Sequence, residues 1–211
     1  MNANDLLIGL IGDDHVLSLL NIQSDMELRQ KFQAIAPEEW AEVITFKIKN
    51  YSVVGDCTND LLDKLKGSLI EHVSALDYAI IIIGTNDVLL GTPISDTVHN
   101  MQELLLLLLE MDLTPVFCTL MPISREEYSQ KVADINSIMT IFTAKHGIQV
   151  VDLNVVFNDG EDAIEKYYDI GDGIHLTQEG YLFLADNLLL RVQEIIIKEF
   201  NDYQKQQLGE S

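Results

Sequence analysis

Five short apolar runs alternate along the chain with longer stretches whose apolar positions recur at helical spacing. The runs lie at about 6–12, 44–50, 78–84, 114–120 and 148–153. The clearest is "YAIIIIGTND", where an unbroken β-branched run marks a strand covered on both faces, as in a parallel sheet. The intervening helices have legible starts. Ser24 with Glu27 and Ser124 with Glu127 have capping-box spacing, and Thr58 followed by Asp60 suits another N-terminus. His146 and Gly147 read as a helix stop, and the last long helix is expected over about 177–200. The Leu stripe at 104–109 is apolar all round and is assigned to the core, while Trp40 in "PEEWAEV" is expected to cover the sheet ahead of the second strand.

Alternating β and α elements of these lengths predict a three-layer α/β/α sandwich around a five-stranded parallel sheet. Right-handed crossovers give the flavodoxin-like strand order 2-1-3-4-5. Ligands of such sheets bind outside the carboxyl ends of the strands. The polar clusters fall there: Gly12, Asp13, Asp14 and His15 after the first strand, Gly55, Asp56 and Cys57 beyond the second, and Gly84, Thr85, Asn86 and Asp87 after the third. Two adjacent carboxylates in "LIGLIGDDHV" are costly to bury, so their place at the mouth of a site is the reading that makes sense of them.

Composition narrows the partners. A chain of 211 residues that is 47% hydrophobic can fill the core of one domain, 1–211, and no repeat or Pro/Gly/Ser-rich linker divides it. Against 34 acidic side chains stand 13 basic ones, a formal charge of -21, which argues against nucleic acid and anionic membranes as partners. The stretch "MNANDLL" has no basic region ahead of its apolar residues, so no signal peptide is read. The Leu run is too short to span a bilayer. Two cysteines, Cys57 and Cys118, make no disulfide framework and fit a reducing cytoplasm.

The candidate chemistry begins with "GDGIHLTQEGY". Asp172 and His175 are three apart, close enough for the carboxylate to fix the imidazole tautomer and stabilise its protonated form, as a general base requires. Taken with "GDD" at 12–14, Gly55 in "NYSVVGDCTNDLL" and "GTND" at 84–87, this "DGIH" at 172–175 resembles the SGNH hydrolase superfamily, the GDSL-type esterases and lipases. The likeness extends to "TPVFCTLMP" and "INSIMTIFTAKHGIQVVDL", which are similar to the family's fourth strand, following helix and fifth strand, and it covers the chain from Leu6 to about Ile197.

The resemblance implies an ester or acyl hydrolase that uses no metal or other cofactor and acts on a small ester-like molecule. It assigns His175 as the base oriented by Asp172. Gly55, Asn86 and the backbone N–H of residue 14 become oxyanion-hole donors, with Gly12, Asp13 and Asp87 in support. The family's nucleophilic serine is replaced by Asp14, and Ser18 lies a full helical turn further on.

Four readings of Asp14 follow. Its carboxylate can fill the oxyanion hole in a non-catalytic small-molecule or protein-binding module, accepting hydrogen bonds from Gly55, Asn86 and His175. It can act as the nucleophile, or join His175 and either His15 or Asp13 on a metal ion. It can also be a replacement that silences a serine enzyme. Pairing with His175 would raise that imidazole and lower Asp14. Cys57 reads as packing, His15 as a rim or exposed loop residue, and His72, His99 and His146 as structural or solvated. Thr85 and Thr92 are within reach of a ligand. No oligomeric state follows from the sequence.

Overall fold

The apolar runs become strands because their side chains alternate between two hydrophobic layers. A computed structural model describes residues 5–22, 26–28, 30–31 and 45–208. Strands β1 (Asp5–Gly12), β2 (Thr45–Asn50), β3 (Tyr78–Ile82), β4 (Thr114–Cys118) and β5 (Gln149–Val151) form one sheet. Its order is β2-β1-β3-β4-β5 and every pairing is parallel, as expected from the crossover rule. Ile8, Leu10, Ile80 and Val116 point to one face, where they pack with Leu19, Leu184, Leu188 and Val192. Leu7, Ile11, Ile81 and Phe117 point to the other, against Leu61, Leu65, Leu105 and Met139. This period of two, buried on both sides, is why the strands read as continuous apolar runs.

Helices α1 (Asp14–Ile22) and α8 (Gln178–Leu208) cover the first face. On the second lie α2 (Thr58–Lys66), α5 (Ile94–Glu110) and α6 (Glu126–His146). The short helices α3 (Ile70–Val73), α4 (Thr85–Leu90) and α7 (Leu153–Phe157) complete the connections. Gly147 caps α6 with φ 68° and donates to Ala144 and Thr143, so the helix stop read from the sequence is real.

Some expectations need correction. Strands β3, β4 and β5 end two residues short of their apolar runs, because Ile83, Leu120 and Leu153 are buried after the chain has left the sheet. Ser124 does not cap α6; Arg125 holds that position, and the Ser124 hydroxyl accepts the Ile164 N–H at 2.9 Å. The Leu stripe is half core: Leu104, Leu105 and Leu108 are buried, whereas Leu106 and Leu109 are exposed on the outer side of α5. Helix α8 runs to Leu208, beyond the expected end. Ser24 and Trp40 lie outside the described residues. Among those described, no helix is long and apolar enough to cross a membrane.

Candidate functional site

Strand β1 ends where it is pressed hardest against β3. A Cβ on Gly12 would lie 1.9 Å from the Ile82 carbonyl oxygen, so only glycine fits. The Asp13 N–H then donates to that same oxygen at 3.2 Å, and the Asp13 carboxylate turns back to accept the His15 N–H at 3.1 Å. That bond starts α1 and makes Asp13 its cap. Asp14 is the first helical residue, where a negative side chain is favoured by the exposed amides of the first turn.

Three chain segments converge on one oxygen. Gly55 sits in the loop after β2 at φ 78°, a conformation that suits glycine, and its N–H donates to Asp14 Oδ2 at 3.0 Å. Asn86, on α4, donates through Nδ2 to the same Oδ2 at 3.0 Å and to the Asp56 carbonyl at 3.1 Å. Burial pushes the Asp14 carboxyl up, but the bonds from Asn86, Gly55 and its own N–H outweigh that, and it lies below its ordinary value.

The support beneath is a second carboxylate. Asp87 is fully buried and accepts both the Thr58 N–H at 2.9 Å and the Thr58 hydroxyl at 2.7 Å, and Asn100 donates to that hydroxyl at 3.1 Å. This ties the start of α2 to α4 and fixes Gly55 relative to Asn86. Desolvation still leaves Asp87 raised, ahead of the Thr58 bonds. Asp13 is wholly buried; desolvation, with Asp14 and Asp87 adding to it, pushes its carboxyl up to about 7. Asp13 Oδ2 has no hydrogen-bond partner.

Across the cleft, the turn before α8 holds the base. Asp172 Oδ1 accepts the N–H groups of Ile174 and His175, both at 2.8 Å, and Oδ2 accepts His175 Nδ1–H at 2.6 Å. Burial alone would raise Asp172, yet the His175 bonds prevail and lower it. Arg125 steadies the turn by donating through Nε and Nη2 to the Asp172 carbonyl at 3.0 and 2.9 Å. With Nδ1 engaged, Nε2 is the nitrogen left to act.

Asp14 and His175 border the same cleft of about 190 Å³, walled also by Asp13, His15, Asn86 and Thr85. Leu89 and Ile174 supply its apolar part. Larger grooves, of about 260 Å³ along α6 and about 410 Å³ between β5 and α8, contain none of the expected site residues. The site is therefore assigned by its chemistry and not by its size.

Several placements differ from expectation. Among the described residues, His175 makes no hydrogen bond to Asp14, so the lowering of Asp14 comes from Asn86 and Gly55 and not from an imidazole pair. His15 borders the cleft, as the rim reading expects, but it is not an exposed loop residue. It lies on α1, is 2% exposed, and burial lowers it to about 4. Its Nδ1 is 3.4 Å from the Tyr181 hydroxyl, and its ring centroid is 5.9 Å from that of His175. Ser18 does not border the cleft. Cys57 caps α2, accepts no role in the cleft wall, and is pushed up to about 11 by burial. Thr85 borders the cleft, and Thr92 does not. Among the described residues no group of three or more His, Cys, Asp or Glu side chains is placed to hold a metal ion. The Thr58–Asp87 tie and the Arg125 contact were not foreseen. Asp87 and Thr58 each stand out in the sequence, but nothing in its periodicity pairs residues 29 apart.

Comparison with known proteins agrees with this fold. The model of the GDSL-like lipase/acylhydrolase family matches residues 23–182, which include Gly55, Asn86, Asp172 and His175 and begin after Asp14. A lipase/acylhydrolase from Enterococcus faecalis is 19% identical with a TM-score of 0.70, covering 90% of this chain and 96% of that one. A GDSL-like lipase from Bacteroides thetaiotaomicron is 18% identical with a TM-score of 0.69, covering 92% and 88%. These likenesses concern the fold. An N-acylneuraminate cytidylyltransferase from Streptococcus agalactiae is 30% identical over 151 residues, which are 69% of this chain. The match spans 35% of that longer protein.

Proposed function

Given that the chain belongs to the GDSL-like lipase/acylhydrolase family, we propose that it has kept the family's small-molecule cleft and given up serine-type acyl transfer. The reading rests on one observation: Asp14 Oδ2 already occupies the point where Gly55 N–H and Asn86 Nδ2 converge, at 3.0 Å from each. In an acyl hydrolase those donors stabilise an oxyanion that forms only in the transition state. Here they hold a permanent anion. A substrate carbonyl would meet engaged donors and a like charge, and residue 14 offers a carboxylate where the family has a hydroxyl to attack it. The protein is read as a ligand-binding member of the family, with His175, oriented by Asp172, in one wall of the cleft.

The same bonds weigh against Asp14 as nucleophile. Donors that stabilise a carboxylate and lower its proton affinity also lower its readiness to attack carbon. A metal-ligand role would need a third ligand beside Asp14 and His175, and the described residues bring none to them.

The test is Asp14→Ser, assayed on short-chain aryl esters beside the parent and the double variant with His175→Ala. The serine supplies a hydroxyl, removes the charge and frees both donors. Oxyanion-hole and triad contributions are each worth about a hundredfold or more, so Asp14→Ser is expected to turn esters over where the parent does not, and His175→Ala to silence it again. Turnover by the parent that Asp14→Ser abolishes would make the carboxylate itself catalytic and overturn the reading. A folded but silent Asp14→Ser would place the loss of activity beyond this one residue.

A further inference from the structure

We infer that the cleft takes a small organic cation, an alkylammonium group carried by a molecule with a short apolar body. This rests on the ligand-binding reading above and names the chemistry that such a ligand brings. The argument is a count of donors and acceptors in the cleft wall. Asn86 Nδ2 has two hydrogens, and both are engaged, by Asp14 and by the Asp56 carbonyl. The Gly55 N–H is engaged by Asp14, and His175 Nδ1–H by Asp172. No Lys or Arg contributes to the wall.

What remains accepts. Asp14 uses Oδ2 for both of its bonds to other residues, which leaves Oδ1 without a partner among the described side chains. Asp13, fully buried in the same wall, has Oδ2 without any partner. With its proton on Nδ1, His175 presents Nε2 as a further acceptor. A ligand that carries acceptors of its own, such as an ester carbonyl or a carboxylate, finds among the described side chains of the wall only the Thr85 hydroxyl and the single N–H of the His15 ring to bond. A ligand that carries positive charge finds the ionised Asp14 carboxylate and the Nε2 lone pair of His175.

Charge points the same way. The Asp14 carboxylate borders the cleft and Asp87 lies near it, both adding to the burial that raises Asp13, and among the described residues no Lys or Arg side chain borders the cleft to offset them. The chain as a whole carries a formal charge of -21. The apolar part of the ligand also has a place. Leu89 and Ile174 are in the wall. A cation that carries short alkyl groups matches both the Asp14 carboxylate and this apolar part.

The experiment compares choline with its uncharged carbon isostere, in which a tert-butyl group replaces the trimethylammonium. Both are titrated into the full chain at one fixed ionic strength, which screens the general attraction of any cation to an acidic protein. Amide shifts of Gly55, Asn86 and Ile174 report binding. Choline is expected to bind about tenfold or more tightly than the isostere, and Asp14→Asn to bring the two within about twofold. Asp134→Asn on α6, which removes one charge outside the cleft, should leave the preference unchanged. Equal binding of choline and isostere to the parent overturns the inference and leaves the ligand-binding reading standing. Loss of preference in Asp134→Asn also overturns it, since a diffuse field would then be the cause. Ester turnover by the parent would overturn the underlying reading whatever choline does.

Discussion

The turn that carries Asp172 and His175 and the turn that carries Asp13 and Asp14 border one cleft, yet they stand in opposite states. In the first, each bond leaves something available: two backbone N–H groups and Arg125 fix the carboxylate and its turn, the carboxylate fixes the ring, and Nε2 remains. In the second, each bond closes something off: Gly55 and Asn86 both end on Asp14 Oδ2. Both turns belong to a fold shared with GDSL-like lipases. The difference teaches that motif and fold can persist while the chemistry is decided by which polar atoms are left without a partner.

The comparison can be broken most sharply through its first member. In the Asp14→Ser background, Asp172→Asn should remove most of the regained turnover, by a factor on the order of a thousand or more, because the ring loses its tautomer and its orientation. In the parent the same exchange removes a carboxylate beside the cleft and frees the His175 ring, so it should weaken choline binding, though less than Asp14→Asn does. Steady-state rates and shift titrations check the two halves of that statement, and a parent that binds choline unchanged would mean that the base turn takes no part in holding the ligand.

Next in size is the brace under the second turn. Asp87→Ala leaves the Thr58 N–H and hydroxyl without their buried acceptor, and hydrogen bonds to a charged group are worth about 1.5–3 kcal/mol each, so a loss of about 3 kcal/mol in a urea melt is expected. Asn86→Ala should cost less, about 1–2 kcal/mol. It should also let the Asp14 carboxyl climb back toward its ordinary value, since the Asn86 bond is the largest influence that lowers it. A carbon-detected NMR titration reads that value directly. If it does not move, the filling of the pocket by Asp14 is not what holds its charge.

The smallest effects concern pH. Burial holds Asp13 up at about 7, so the native state keeps a proton that the unfolded chain has released; this contribution is complete below the ordinary value of 3.8 and is lost as pH rises through about 7. His15, lowered to about 4, does the reverse: its contribution is complete above 6.5 and is lost as pH falls through about 4. The two slopes oppose each other, so between pH about 4 and about 7 they largely cancel in the parent. Asp13→Asn should unmask a stability that rises with pH over that window, and His15→Phe one that falls. Urea midpoints across the window distinguish them. Asp14 and Asp172, both lowered, contribute fully above their ordinary values and lose that contribution only as pH falls below them.

Much of this was legible in the sequence, for physical reasons that can be named. The sheet order follows from continuous apolar runs and helix-length crossovers, and the strand ends then gather Asp14, Gly55 and Asn86, whereas His175, in the turn before α8, was placed beside them by the family likeness. The acceptance of Gly55 and Asn86 by Asp14 followed from the family likeness once a carboxylate was set at the nucleophile position. His15 was misplaced because α1 begins at Asp14, one residue earlier than a loop reading allows, which turns residue 15 inward with Val16 and Leu19. Ser124 was misread as a cap because its hydroxyl serves Ile164, a residue 40 positions away. Local spacing shows which bonds a side chain can make nearby; it does not show which distant partner competes for it.

The carboxylate held by Gly55 and Asn86 has a meaning in terms of product release. Ester hydrolysis ends with a carboxylate where the carbonyl had been, and Asp14 sets that same functional group on two of the same donors, joined to the chain. The resting protein thus resembles an enzyme that never lets go of its acid. A tethered ligand acts at an effective concentration on the order of millimolar or higher, and it carries a like charge against any competitor. Free acetate is therefore expected to leave the amide signals of Gly55 and Asn86 where they are, and to move them only when Asp14 has been replaced by serine.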